Sequence, residues 1–314
     1  MEEDYGLRKE EYRKLIEDPH VTATEIARRI KVPAIIYRYR RFGRMKGNNW
    51  EETDFWDDDV NGVCMFSKPA SFNKNDSDDC KVRFENKTLL DYMGKGMNRE
   101  QRRAGKKMVN AKLKEYKKSL QQTMRVGCFT AVEPVVCDMW YDLNFGDAGR
   151  GFCIEYEVDD ENFRPDGLAF LPVLYDDKPY DNTKAMKAIV DLAQANSNKD
   201  AASLAVCLGY GHTLIKPQRY KKEKEWRLVI PIRSDGAHKG FFTVDNESKR
   251  DMSSAIRAMY LGPNIEDLTN YKKYENAVIS FGDKYRIPVY KILKNGSTLE
   301  KVKIMRPVEM FTLT

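Results

Sequence analysis

Short β-forming runs recur along the whole chain, each five to seven residues long: Ile35-Ile-Tyr-Arg-Tyr-Arg40, Val63-Cys-Met-Phe-Ser67, Val126-Gly-Cys-Phe-Thr130, Gly151-Phe-Cys-Ile-Glu-Tyr-Glu157, Leu171-Pro-Val-Leu-Tyr175, Trp226 to Ile232, Gly240-Phe-Phe-Thr-Val244, Ile256 to Leu261 and Pro288 to Ile292. Their length and their content of β-branched and aromatic residues fit strands. The connections carry helical patterns at irregular intervals, so the strands do not alternate regularly with helices as in a parallel α/β sheet. The expected fold is α+β: a mixed, mainly antiparallel sheet with flanking helices. With 314 residues, the chain has enough length for a large buried core.

Residues 5–32 read as two short helices. Thr22-Ala-Thr-Glu25 has the spacing of a capping box, followed by apolar residues at helical intervals. Val32-Pro33 and a strand follow at once, which leaves no room for the recognition helix of a DNA-binding helix-turn-helix. A helical amino-terminal arm over 1–33 and a single α+β domain over 34–314 is therefore the expected organisation. Residues 43–61 read as a polar, aspartate-rich surface loop with Trp50, Phe55 and Trp56 as anchors; a second acidic loop carries Asp76, Asp78 and Asp79. Residues 183–209 read as helical. The stretch Asn144-Phe-Gly-Asp-Ala-Gly-Arg-Gly151 is either an anion-holding loop or a plain turn; it leads into a strand and so is no dinucleotide fingerprint.

Charge and cysteine usage narrow the function classes. Of the residues, 41% are apolar and 32% charged, and no uninterrupted apolar run approaches the about 18 residues of a membrane span. The start Met-Glu-Glu-Asp-Tyr lacks the basic and apolar segments of a secretory signal, so cytoplasmic residence is expected. Six cysteines without a C-x-x-C pair, and three histidines, argue against zinc; Cys64, Cys128 and Cys153 are expected as buried reduced thiols. Asp57-Asp-Asp59 lacks the periodicity of a calcium loop, and no metal is expected. The net charge is +6, from 54 basic and 48 acidic residues, but the basic residues cluster. Residues 98–125 form a helical pattern with Arg99, Arg102, Arg103, Lys106, Lys107, Lys112, Lys114, Lys117 and Lys118. This run is either a solvated face or a track for phosphates, with Lys106, Lys107, Lys112 and Lys114 as the contact residues of a nucleic-acid-binding module.

Several motifs in order resemble the domain of unknown function 2971 family: Ile36-Tyr-Arg-Tyr-Arg40, Phe66-Ser-Lys-Pro-Ala-Ser-Phe-Asn73, Cys128-Phe-Thr130, Met139-Trp140, Gly151 to Tyr156, Leu171 to Tyr175, Lys224-Glu-Trp-Arg227, Leu261-Gly-Pro263 and Val289-Tyr-Lys291. Two places depart from its pattern. Phe72-Asn-Lys-Asn-Asp-Ser-Asp78 lacks the family's proline, and Asp142-Leu143 and Gly149-Arg150 stand where relatives show histidines, which argues against a histidine-based mechanism.

The layout is more distantly similar to ADP-ribosyltransferase folds. That similarity implies NAD as co-substrate, Glu225 as the catalytic carboxylate, and Arg38, Ser67, Tyr39, Phe66 and Trp140 as cofactor-binding residues, with Tyr37 an alternative to Tyr39 for stacking. Glu225 would steady an oxocarbenium-like ribose, Arg38 the pyrophosphate or the adenylate side, Ser67 the nicotinamide ribose, and the aromatic rings an aromatic ring of the ligand. It implies a toxin-like or defence-related effector acting on a protein or nucleic acid. Each residue also has a plain structural role open to it: Glu225 as the ion-pair partner of Arg227 or a nearby lysine on an exposed strand, Arg38 on a half-buried strand, Ser67 ending a strand, Trp140 in the core. A nucleic-acid-binding module and a non-catalytic partner-binding domain are the rival functions.

Overall fold

The computed structural model describes residues 5–46, 49–53, 56–72, 80, 98–136, 138–141, 146–163, 169–178, 180–194, 212–231 and 248–304. The strand over 240–244, the acidic loop with Asp76, Asp78 and Asp79, Cys137, Cys207, His238 and the end of the 183–209 helix lie outside these residues. The chain divides into two compact units, one made of 1–32, 66–127 and 163–248, the other of 33–65, 128–162 and 249–314.

In the second unit, β1 (Ile35–Arg40) is the strand that the alternation of apolar and polar residues predicts, and Ile36 to Tyr39 are all buried. It pairs antiparallel with β6 (Phe152–Glu157), Arg38 opposite Ile154 and Arg40 opposite Phe152. Beyond β6 lies β12 (Ile256–Leu261), antiparallel; next comes β13 (Val289–Asn295), parallel to β12, and then β14 (Thr298–Lys303), antiparallel. The parallel β12–β13 pair needs a crossover, supplied by a helix over Tyr271–Tyr285 that buries Tyr274, Val278 and Phe281. That helix and β14 were not legible as elements in the sequence.

One face of this sheet packs Tyr37, Tyr39, Trp140, Cys153, Ala258, Tyr260 and Ile292 together. Tyr37 and Tyr39 are neighbours on that face because strand side chains alternate with a period of two. On β1 the alternate residues Arg38 and Arg40 lean towards the short helix Trp56–Val60 and towards β4 (Val63–Met65).

Residues 43–61, expected as a loop, instead form a hairpin of β2 (Gly43–Lys46) and β3 (Asn49–Glu52) and then the helix Trp56–Val60. The physical reason sits at Gly43. A Cβ there would lie 2.4 Å from the Trp50 ring, so only glycine lets the indole fold back over its partner strand. The aromatic anchoring is as expected, since Trp56 is buried against Phe42 and Tyr274.

The first unit carries the amino-terminal helices Lys9–Ile16 and Ala23–Arg29. The capping box is present: the Glu25 amide donates to Thr22 Oγ1 at 3.2 Å and the Thr22 amide donates to Glu25 Oε2 at 2.7 Å. Tyr12 is fully buried and its hydroxyl donates to the Pro172 carbonyl at 2.6 Å, so these helices are part of the unit's core. Its strands run in the hydrogen-bonding order β5 (Met124–Thr130), β10 (Glu225–Pro231), β7 (Ala169–Pro172); β5 continues into the second unit, where Thr130 pairs with Tyr37. Residues 171–175, expected as one strand, break into β7 and β8 (Leu174–Tyr175), because Pro172 has no N–H and Val173 donates instead to the Glu225 carbonyl at 2.9 Å. The basic helix spans Arg99–Thr123. The fold is α+β with mixed, mainly antiparallel strand pairing and flanking helices, as the sequence predicted.

Candidate functional site

Backbone geometry gathers four charged side chains and a tyrosine in the first unit. β8 pairs parallel with β9 (Ile215–Lys216), which sets Tyr175 opposite Lys216. After β9 a 3-10 turn over Gln218–Glu223 ends on Lys224 in the left-handed region, φ 42°, and the chain then enters β10. A non-glycine residue in that region is uncommon; here it stands between Glu223 and Glu225, which both reach one lysine. Glu225 and Arg227, two apart on β10, project to the same side.

The contacts are close. Arg227 grips Glu225 with two bonds, Nε to Oε1 at 2.8 Å and Nη2 to Oε2 at 2.9 Å. Lys216 Nζ lies 2.6 Å from Glu223 Oε2 and 3.4 Å from Glu225 Oε2. The Glu225 amide donates to the Tyr175 hydroxyl at 2.7 Å, and Arg227 Nη1 donates to the Thr213 carbonyl at 2.6 Å and contacts Cys80 Sγ at 3.1 Å. Glu225 is 7% exposed and Arg227 0%. A bidentate guanidinium–carboxylate pair of this kind is both strong and rigid.

Burial shifts two groups of the cluster, Glu223 and Tyr175. The Glu223 carboxyl is pushed up to about 7, by burial first, with Glu225's charge adding to the rise and the Lys216 ammonium opposing it. Tyr175 is raised far above the ordinary phenol range, chiefly by burial and then by Glu225. The cluster therefore joins one immobilised carboxylate to a second that exchanges its proton near neutrality, the pairing that acid–base chemistry at neutral pH requires.

The other residues selected from the sequence fall in both units. Phe66 and Ser67 belong to the first: Ser67 forms an isolated bridge with Val126 through two 2.9 Å backbone bonds, and its side chain is exposed, whereas Phe66 is buried. Arg38, Tyr39 and Trp140 belong to the second. Trp140 is 0% exposed; its Nε1 donates to the Pro134 carbonyl at 2.8 Å and its ring meets Tyr39 edge-on, with centroids 5.0 Å apart. Neither Trp140 nor Tyr39 presents a face on which a base can stack. Arg38 is buried, donates to the Met65 carbonyl at 2.7 Å, touches the Cys64 thiol and lies 4.0 Å from Asp59, which also binds Arg40. Its guanidinium is engaged inside the unit, not turned towards an external pyrophosphate. Burial pushes the Cys64 thiol up to about 11 against the pull of Arg38, which makes it an inert core thiol. Cys153 is buried likewise, whereas Cys128 is only partly buried.

The Gly146–Gly151 stretch is a turn. Gly146 donates to the Met139 carbonyl, Gly149 and Gly151 to the Gly146 carbonyl, and Arg150 to the Asp147 carbonyl, so these amides serve the chain itself. Asp57, Asp58 and Asp59 are engaged with Asn61, Lys249 and Arg40. Among the described residues no group of three or more His, Cys, Asp or Glu side chains is placed to hold a metal, and no helix is long and apolar enough to cross a membrane.

Of this cluster the sequence singles out Glu225, with Arg227 or a nearby lysine as its ion-pair partner, but not Lys216 by position, Glu223 or Tyr175. The signal for Glu223 was present: with Glu225 it brackets Lys224 at the head of a strand. Nothing local marked Lys216, whose role depends on the β8–β9 pairing.

Residues 139–228 match the family model described as Protein of unknown function (DUF2971), which bears out that resemblance over this stretch and takes in Tyr175, Lys216, Glu223, Glu225 and Arg227. No curated protein matches the chain, and no solved structure does.

Proposed function

We propose that the Glu223–Lys216–Glu225–Arg227 cluster is the acid–base centre of an ADP-ribosyl-transferring enzyme, a cytosolic effector of toxin-like or defence-related type that uses NAD to modify a protein or nucleic acid. The observation that carries the reading is the carboxylate pair around one ammonium: Glu225 locked by Arg227, and Glu223 titrating near neutrality. NAD itself comes from the distant similarity in motif order. The buried faces of Trp140 and Tyr39, and the internal contacts of Arg38, do not fit a dinucleotide seat. The reading therefore assigns chemistry to the first unit alone, with exposed Ser67 the one expected cofactor contact left open to solvent.

The reaction class balances with these groups. Cleavage of the ribose C1′–nitrogen bond returns its electron pair to the nicotinamide ring, whose positive charge is thereby neutralised, and leaves an oxocarbenium-like carbon. The Glu225 carboxylate is matched by Arg227 and Lys216, so the carboxylate that would oppose this developing positive charge is deprotonated Glu223. The acceptor's lone pair closes on C1′, and its proton passes to Glu223, whose proton affinity suits the step at neutral pH.

Nicotinamide release from NAD, with water as acceptor, tests the reading. Wild-type protein is expected to turn over and Glu223→Gln to lose at least about a hundredfold. Equal rates in the two proteins, or no release by either, overturn it.

A further inference from the structure

We infer that the solvent face of the Arg99–Thr123 helix is a binding surface for a nucleic-acid backbone. The inference is independent of the transferase reading. The helix starts firmly: the Gln101 amide donates to Asn98 Oδ1 at 2.9 Å while the Asn98 amide donates to Gln101 Oε1 at 3.0 Å, a reciprocal cap. Arg99, Arg102, Arg103, Lys106, Lys107, Lys114 and Lys118 are all exposed. At about 100° per residue these positions fall within an arc of roughly 160°, so they form one face. Among the described residues no anion pairs with Arg99, Arg103, Lys106, Lys107, Lys114 or Lys118, although ion pairs are common elsewhere in the chain.

Charge spacing selects the partner. At about 1.5 Å of rise per residue, the described cations from Arg99 to Lys118 average one per 4–5 Å or so of axis and are densest over Arg99–Lys107. A single nucleic-acid strand presents a phosphate about every 3.4 Å, a comparable linear density. An anionic membrane offers charge as well, but a helix that lies on it needs a row of large apolar residues to insert. Among the described residues of this helix no exposed side chain is a large apolar one. Lys112 lies on the same helix, but its side chain is outside the described residues.

The test uses the full chain, a fluorescein-labelled 20-nucleotide RNA, a 20-base-pair DNA duplex and vesicles rich in phosphatidylserine. Binding to the nucleic acids is expected to weaken about a hundredfold between 50 and 200 mM salt, as neutralising about four phosphates requires. The quadruple variant Arg99→Gln, Arg103→Gln, Lys106→Gln, Lys107→Gln is expected to lose at least tenfold at low salt and to flatten the salt slope. These side chains are exposed, so an unchanged melting temperature checks that the fold persists. Binding indifferent to the four substitutions, no binding to either nucleic acid, or vesicle binding of equal strength overturns the inference.

Discussion

Replacing Glu225 by glutamine probes the buried cluster at its most constrained point. The substitution keeps shape and one acceptor oxygen but removes the charge that faces Arg227, a guanidinium with no solvent exposure. Arg227 would retain the Thr213 carbonyl at 2.6 Å and the Cys80 contact, while its two-bond grip on a carboxylate is lost. Breaking one partner of a buried ion pair costs about 3–5 kcal/mol, because the remaining charge stays desolvated. The retained oxygen and the nearby Glu223 put the expectation at the lower end, about 3 kcal/mol. In a unit of ordinary domain size this corresponds to a fall in melting temperature of roughly 6–12 °C, within reach of calorimetry or urea titration. The double variant Glu225→Gln, Arg227→Met should recover much of the loss, since it removes the buried guanidinium together with its carboxylate partner. A change of under about 0.5 kcal/mol in Glu225→Gln would refute the reasoning, because only a solvated pair is that cheap to break.

Two further outcomes follow from the same structure. Since burial raises the Glu223 carboxyl above its unfolded value of about 4.5, the native state binds the extra proton, and stability is expected to be greatest below about pH 4.5 as far as this group is concerned. That contribution is lost as pH rises towards about 7, by about 3 kcal/mol in total, and Glu223→Gln should flatten this slope in urea titrations run from pH 4.5 to 8; an unchanged slope would show that another group carries it. Trp140→Ala should cost about 3–5 kcal/mol in thermal unfolding while leaving any nucleotide affinity of the folded protein unchanged, and selective loss of that affinity without destabilisation would restore Trp140 as a stacking residue.

Elements whose signal is local were legible in the sequence. β1, β6, β10 and β12 announce themselves by short β-branched and aromatic runs, and Thr22 with Glu25 fixes the second helix through a contact three residues long. The hairpin at 43–52 was hidden because its register depends on Gly43 accommodating the Trp50 ring, a contact that polar composition masks. β14 was hidden because half of its residues are charged, as an exposed strand allows, and its pairing with β13 makes it a strand. The site divides in the same way. Glu225 and Arg227 share one strand face and can be paired by counting, whereas Lys216 joins them only through the parallel β8–β9 ladder. Arg38 and Trp140 stand out in the sequence because a charged or amphipathic side chain reads as functional there, and in the fold Asp59, Met65 and Pro134 engage them internally.

The pH dependence of nicotinamide release, measured from pH 5 to 9 on wild-type and Glu223→Gln protein, tests the acid–base assignment most directly. The account predicts a wild-type rate that rises through about pH 7 as Glu223 loses its proton, and a residual rate in the variant without that inflection. A wild-type profile that is flat across this range, or an inflection that survives in Glu223→Gln, would contradict it.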